Sequence, residues 1–240
     1  MKALTGAFNC KLWITVVFGL AMKINRHGKA KVLTQQEIQL LFNEGFQSDR
    51  DRALFGVCLY TACRINEACT LNTLDVYNKR MCVRNEIIFR RHNTKGKLAA
   101  RAVPVIEELR SLLVKYQPTS RDGFLFPGRH DRGHINPESA SRILREACEK
   151  VDLEGISTHS FRRTALTEMS NAGIPLRIIQ EVSGHKNLEE LQKYLEVRPE
   201  QVKGAVSALS MLGYAGDIYV RKSRFLDVTS NSDTETISSD

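Results

Sequence analysis

Three features that mark other protein classes are absent from this 240-residue sequence: paired Cys-x-x-Cys motifs, internal repeats, and an apolar run long enough to cross a membrane. The absence of repeats excludes a solenoid. Six cysteines are present without the spacing of zinc ligands, at positions 10, 58, 63, 69, 82 and 148. We therefore expect buried, reduced thiols, and neither a disulfide framework nor a metal site.

The N-terminal apolar run, residues 12–22, has eleven residues and is too short to span a bilayer comfortably. Lys11 directly precedes the run and no small-x-small cleavage site follows it, which disfavours a secretory signal. We therefore treat residues 1–30 as a separate segment that either packs on the main domain or is the remnant of an upstream domain. A cytoplasmic protein that does not enter a membrane is expected.

The charge of the chain is basic and unevenly distributed. The net charge is +8, but residues 225–240 carry four acids and no Lys or Arg, so residues 1–224 carry +12. Such an excess favours a polyanionic partner, with nucleic acid ahead of an anionic membrane surface. The polar residues 213–240 are predicted to form a disordered tail.

Local sequence signals predict a mainly α-helical protein with one small antiparallel β-sheet, that is, an α+β fold. A capping box at 34–37 and the Asn136-Pro137 pair are typical of helix starts. The β-like residues 81–90 and 101–105, joined by a polar turn, predict a hairpin. Further helices are predicted at about 50–62, 65–71, 107–116, 159–173, 175–184, 188–194 and 199–212.

The side chains best suited to chemistry are His159, Arg162, His185 and Tyr194. A guanidinium is permanently charged and forks onto phosphate oxygens, whereas imidazole can hold or move a proton near neutral pH. A phenol can act as a covalent nucleophile when nearby cations stabilise its deprotonated form. The group suggests phosphoryl transfer through Tyr194, on a helix that a capping box is predicted to open at Asn187.

Two more cations stand where phosphate chemistry would use them. Arg64 opens a predicted helix, whose free N–H groups would add to its affinity for an anion. Lys95 lies on the predicted hairpin turn, from which a long side chain could reach into a groove. Arg91, His92 and Lys97 crowd the same turn, so the choice of Lys95 depends on the motif that surrounds it.

In this order of motifs the sequence resembles the tyrosine recombinase, or phage integrase, family over about residues 31–212. Four stretches carry the resemblance: Thr-x-x-Arg-x-x-Glu at 61–67, Thr94-Lys95 followed by Arg101-Ala102-Val103-Pro104, His159-x-x-Arg162, and Gly184-His185 with Tyr194 nine residues later. The resemblance implies the fold of the family's catalytic domain. It also implies that the chain is a site-specific recombinase acting on double-stranded DNA.

The resemblance further implies how the phosphate would be held. Tyr194 would attack a DNA phosphate and form a 3′-phosphotyrosine bond. Arg64 and Arg162 would clamp the non-bridging oxygens, and His185 would add a third hydrogen bond. Glu67 is expected to be a buried partner that orients Arg64.

Proton transfer is assigned to the remaining two residues. The resemblance implies that Lys95 protonates the departing 5′-oxygen and that His159 assists proton transfer at the tyrosine. No metal and no cofactor is required, because the phosphotyrosine conserves the bond energy until another 5′-hydroxyl reverses the step. The same resemblance implies a monomer in free solution, a homotetramer on paired DNA sites, and accessory DNA-bending proteins. A nucleoid-associated location while bound to DNA is expected.

Two other functions fit parts of the sequence. A type IB topoisomerase would share the fold, the phosphotyrosine and similar cations. A catalytically idle DNA-binding remnant of a prophage would explain the short N-terminal region, since members of the family usually carry a helical core-binding domain upstream. The chain departs from the family pattern at Ala62, where glycine is usual, and at Ser183, where leucine is common. Neither departure removes a reacting group.

Overall fold

The structure is a computed structural model that describes residues 30–91, 100–118, 120–129, 133–195 and 199–212. The predictions for Cys10, Lys95, residues 1–29 and residues 213–240 lie outside these residues. The described residues divide into two units: one ends at residue 195, and the other comprises residues 199–212.

The predicted α+β fold, mainly helical with a small antiparallel sheet, is confirmed. The helices of the first unit are α1 (Gln35–Leu40), which continues as a π-helical turn (Leu41–Gly45), α2 (Asp49–Tyr60), α3 (Ile65–Cys69), α4 (Thr73–Val76), α5 (Glu107–Lys115), α6 (Pro137–Lys150), α7 (Thr158–Asn171), α8 (Leu176–Ser183) and α9 (Leu188–Gln192). The second unit contains α10 (Pro199–Ala208), followed by a 3-10 turn (Leu209–Leu212).

Two helix starts with a side-chain cap, those of α1 and α6, lie where the sequence predicts them. Thr34 and Glu37 form the expected capping box at the start of α1. The Asn136 side chain accepts a hydrogen bond of 2.6 Å from the Ser139 N–H at the start of α6, and Pro137 occupies the first helical position. These side chains satisfy N–H groups that no helical carbonyl can reach.

The hairpin consists of β1 (Glu86–Phe89) and β2 (Arg101–Pro104), paired antiparallel. The register places Ile87 opposite Val103 and Phe89 opposite Arg101. Ile87, Phe89 and Val103 are buried, so this face of the hairpin packs on the core. Arg101 lies on the same face, which places a charged side chain towards the interior.

Aromatic side chains connect the end of the π-helical turn to α2 and α7. Phe46 stacks on Phe55 at 4.8 Å between ring centroids, and Phe55 stacks on Phe161 at 5.2 Å. All three are at most 1% exposed. Because Phe161 directly precedes Arg162, this packing fixes the helical turn that carries the arginine.

A smaller apolar cluster lies beside the first. Its buried members are Ala62, Leu166, Ile179 and Leu191, and Tyr194 is among the partly buried residues that pack against it. The cluster therefore joins the end of α2 to α7, α8 and α9, the elements from which the candidate site is built.

Three expectations are wrong. Tyr194 was expected on a helix, but α9 ends at Gln192, and Tyr194 lies in the turn that follows. The capping box predicted at Asn187 is also wrong, because the Asn187 side chain makes no capping bond, although α9 begins directly after it. Cys82 is exposed rather than buried, because it lies in the loop before β1, whereas Cys58, Cys63, Cys69 and Cys148 are buried free thiols.

Within the described ranges, no helix is long and apolar enough to cross a membrane. The same residues contain no group of three or more His, Cys, Asp or Glu side chains that could hold a metal ion.

Candidate active site

Arg162 lies at the centre of the candidate site. Its side chain projects from α7 and is 2% exposed. The Nη1 group donates hydrogen bonds to the Ala62 carbonyl and, at 3.0 Å, to the Ser183 carbonyl. Arg162 thus ties α7 to the end of α2 and to the end of α8.

Arg162 remains charged although its side chain is buried. Burial, followed by the neighbouring charge of Arg64, lowers the pKa of the Arg162 guanidinium to about 10, so the group stays charged at neutral pH. Among the described residues its Nε–H has no hydrogen-bond acceptor. An unsatisfied buried donor costs about 1–3 kcal/mol, which an incoming anionic oxygen would offset.

His185 faces Arg162 across the site. The Arg162 Nη2 atom lies 3.0 Å from Nε2 and 3.2 Å from Nδ1 of His185. Burial, followed by the charges of Arg162 and Arg64, lowers the pKa of the His185 imidazole to about 3. The ring is therefore neutral at physiological pH, which also lets it accept a hydrogen bond from a guanidinium that can only donate.

Ser183 fixes the other side of the imidazole. Its Oγ lies 2.7 Å from His185 Nδ1, and its hydroxyl donates a longer bond of 3.4 Å to the Gln180 carbonyl. The arrangement is satisfied when Nδ1 carries the proton and Nε2 accepts from Arg162. Gly184, between the two residues, ends α8 with a φ of 64°, a left-handed conformation that favours glycine.

Tyr194 lies next to His185. The centroids of the two rings are 5.4 Å apart, and the rings are tilted by 49°. The side chain of Tyr194 is partly buried and packs against the cluster of Ala62, Leu166, Ile179 and Leu191. The phenol is therefore held near the buried imidazole while its ring remains partly accessible.

Arg64 and Glu67 form a hydrogen-bonded pair whose charges act on Arg162. Arg64 immediately precedes α3, and its side chain is 27% exposed, so its guanidinium is accessible. The Glu67 carboxylate is buried and accepts bonds from the Arg64 backbone N–H at 2.9 Å and from Arg64 Nη1 at 3.4 Å. The carboxylate thus fixes both the backbone and the side chain of Arg64.

Glu67 has a second partner that the sequence did not identify. Arg101 of β2 donates from Nη2 to Glu67 Oε2 at 2.9 Å. Burial raises the pKa of the Glu67 carboxyl, but the hydrogen bond and charge of Arg101, the Arg64 N–H and the charge of Arg162 together lower it below its ordinary value. A signal in the sequence was the period-two alternation of β2, which places Arg101 on the same face as the buried Val103.

The structure brings together Arg64, Glu67, Arg162, His185 and Tyr194 out of the sequence-predicted set. His159 is exposed in the first turn of α7 and lines a groove of about 660 Å³ between α3, α6 and the start of α7. Lys95 lies among the residues that the structure does not describe.

Comparison with known proteins identifies the same family as the motifs in the sequence. A model described as the phage integrase family matches residues 31–201, which is more than half of the chain. The chain belongs to this family. It is 28% identical to a tyrosine recombinase XerA from Pyrococcus furiosus, over 76% of this chain and 63% of the relative. It is 29% identical to a tyrosine recombinase XerC from Bacillus subtilis, over 72% of this chain and 59% of the relative.

Solved structures show that the fold is shared. An XerA recombinase superimposes with a TM-score of 0.59 at 22% identity, covering 74% of this chain and 62% of that structure. An XerH site-specific recombinase bound to a palindromic difH substrate superimposes with a TM-score of 0.58 at 20% identity, covering 77% of this chain and 55% of that structure. The chain thus spans about three fifths of the length of the proteins it matches.

Proposed function

We propose that this chain cleaves and rejoins DNA through a covalent 3′-phosphotyrosine bond at Tyr194, and that it does so in site-specific recombination by integration, excision or inversion. The observation that carries the proposal is the contact of a buried, charged Arg162 with a neutral His185 whose ring lies 5.4 Å from the Tyr194 ring. Membership of the phage integrase family supports it. The named relatives are recombinases, so neither the topoisomerase nor the idle remnant is favoured.

Bond formation and the two proton transfers are assigned to three different side chains. The Tyr194 oxygen forms a bond to phosphorus while the bond from phosphorus to the 5′-oxygen breaks. His159 takes up the phenolic proton, and Lys95 gives a proton to the leaving oxygen. Attack by a 5′-hydroxyl of another strand reverses both transfers and joins the new ends.

Charge on the non-bridging oxygens is stabilised by the arginines. Arg64 is accessible and is oriented by Glu67, so it is the first guanidinium that a phosphate would meet. Arg162 is 2% exposed and bonded to protein acceptors, so an oxygen reaches it only after its contact with His185 gives way. That change would free His185 Nε2, which donates to the phosphate, as the family resemblance implies, after the ring proton moves from Nδ1 to Nε2. It would also place two guanidinium groups against the developing charge.

Double-stranded DNA is the proposed partner, together with three further copies of the chain on paired sites. The helix α10 and its 3-10 turn carry four apolar side chains that are between 52% and 82% exposed: Val202, Val206, Leu209 and Leu212. Such a stripe at helical spacing suits docking on a neighbouring protomer. A monomer in free solution, accessory DNA-bending proteins, and a cytoplasmic location at the nucleoid remain predictions that follow from this function.

A covalent trapping experiment tests the chemistry. Labelled duplexes of random sequence, nicked so that the cleaved end diffuses away, are incubated with the full chain and separated under denaturing conditions. The wild type should retain label, and Tyr194→Phe should retain none while its DNA affinity stays within a few-fold, because phosphate contacts elsewhere supply the binding.

Two results would contradict the proposal. Absence of an adduct with the wild-type chain would show that it does not form the phosphotyrosine. An undiminished adduct in Tyr194→Phe would move the nucleophile to another tyrosine, with Tyr214 and Tyr219 as the next candidates.

A further inference from the structure

Arg101 is the residue through which the β-hairpin contacts the candidate site. Its guanidinium donates from Nη2 to Glu67 at 2.9 Å and from Nε to the Val182 carbonyl at 3.1 Å. The guanidinium carbon also lies 4.3 Å above the centroid of the Phe89 ring, and the side chain is only 11% exposed. One largely buried side chain of β2 thus joins β1, α3 and the last turn of α8.

We propose that Arg101 is a positioning residue for DNA cleavage, which fixes the Glu67 that orients Arg64 and holds the end of α8 that leads to His185. This inference rests on the proposed function, because it concerns the rate of the same reaction. Arg101 is not proposed to touch the phosphate. It acts through Glu67 on one side and through the turn at Gly184 on the other.

The contact with the turn at Gly184 is close. A Cβ atom at Gly184 would lie 2.8 Å from Arg101 Nη1, a distance that real Cβ atoms essentially never show. The left-handed φ of 64° at Gly184 disfavours residues other than glycine on conformational grounds as well. The guanidinium therefore lies directly against the turn that sets the position of His185.

Arg101 also belongs to the strand pair at the end of the described hairpin. It pairs with Phe89 across the hairpin. The charged group over the aromatic ring adds an attraction at the same position. The hairpin, the accessible Arg64 and the His185 turn are consequently held in one arrangement by a single side chain.

A lysine cannot reproduce this arrangement. The planar guanidinium reaches Glu67 with one nitrogen and the Val182 carbonyl with another while its face covers Phe89. An ammonium is a single compact charge without a face to stack. Lysine should keep the charge near Glu67 but lose the joint contact, which separates the electrostatic role from the geometric one.

The ionisation of Glu67 gives a readout that a purely structural role would not change. Arg101 is the first of the groups that lower the pKa of the Glu67 carboxyl against the effect of burial. The other titratable groups that face this carboxyl are Arg64, Arg162, His185, Cys63 and Cys58. Since all of these stay in place, loss of Arg101 alone should raise the Glu67 pKa.

The experiment compares Arg101→Met with Arg90→Met in the full chain. Arg90 is a matched control, because it directly follows β1 and its Nε contacts the buried carboxylate of Asp75 at 2.6 Å. We expect Arg101→Met to lower the rate of covalent adduct formation by about ten-fold or more, with DNA affinity within about three-fold, because small misplacements of reacting groups are costly. Arg90→Met should cleave at the wild-type rate.

The second measurement does not depend on cleavage. The Glu67 carboxyl is titrated by carbon-13 NMR in glutamate-labelled protein, with Glu67→Gln to assign its signal. Its pKa should rise in Arg101→Met and stay unchanged in Arg90→Met, and the acid limb of the cleavage rate should move to higher pH with it. If Arg101→Met does not fold, Arg101→Lys is used instead. We expect this variant to leave the Glu67 titration unchanged and to reduce the cleavage rate by about ten-fold.

The outcomes separate the two proposals. Normal cleavage in Arg101→Met or Arg101→Lys, or an unchanged Glu67 titration in Arg101→Met, overturns the role of Arg101. A wild-type chain that forms no adduct overturns the proposed function. In that case the NMR titration still decides whether Arg101 controls Glu67.

Discussion

Replacing His185 with glutamine should remove most of the loss of stability that the protein shows between pH 7 and pH 5. His185 is 5% exposed, and burial together with the charges of Arg162 and Arg64 lowers its pKa to about 3. In the unfolded chain the same imidazole titrates near its ordinary value of 6.5. Below that value the unfolded state binds a proton that the folded state does not.

The sign and the size follow from this difference. Because the pKa of this base is lowered by folding, its neutral form favours the folded state, and stability falls as the pH drops from 6.5 towards 3. Each pH unit in this window costs about 1.4 kcal/mol, so the loss between pH 7 and pH 5 is about 2 kcal/mol. Glu67 affects stability at lower pH, because its pKa is below 4.5. Its contribution to the free energy of unfolding is lost only as the pH falls through that range.

Urea denaturation of the full chain, followed by circular dichroism at pH 7, 6 and 5, measures the effect. The free energy of unfolding of the wild type should fall by about 2 kcal/mol more than that of His185→Gln over this interval. Parallel pH dependences of the wild type and His185→Gln would show that His185 is not held neutral, and the electrostatic description of the site would be wrong.

Two further predictions concern cleavage and assembly. Arg64→Ala and Arg162→Ala should each lower adduct formation by at least about 10²-fold. The corresponding lysine variants should recover little, because a single ammonium cannot replace the two parallel hydrogen bonds of a guanidinium. Near-native cleavage by either lysine variant would refute the bidentate role. Truncation after Pro199 should reduce recombination between paired sites more than cleavage of a single site, and a truncated chain that recombined normally, or one that failed to fold, would favour packing of α10 within its own chain.

The sequence is sufficient for the features that depend on neighbouring residues. The start of α1 at Thr34 and the start of α6 after Asn136 follow from side chains that bond to N–H groups three residues later. The hairpin follows from alternation within two short segments. The end of α9 before Tyr194 was not predictable in this way, because the turn there is set by packing against residues far away along the chain.

The candidate site likewise contains residues that the sequence predicts and residues that it does not. The order of the motifs was enough to select Arg64, Arg162, His185 and Tyr194 as neighbours. Arg101 was not selected, because its two partners lie 34 and 81 residues away, and the alternation of β2 indicates only that Arg101 shares a face with the buried Val103. Ser183 was noted only as a departure from the family, whereas in the structure its hydroxyl bonds to His185 and its carbonyl bonds to Arg162.

Ala62 shows how such a tertiary contact can explain a residue that local preference disfavours. Its φ of 50° lies in the left-handed region, which costs an L-residue about 1–2 kcal/mol and accounts for the usual glycine. The Ala62 carbonyl accepts a hydrogen bond from the buried Arg162, so the chain must keep this bend. The Cβ is buried against Leu166 and Ile179, and burial of one methyl returns about 0.8 kcal/mol. The apolar cluster beside Tyr194 therefore offsets part of the backbone strain that the position of Arg162 imposes.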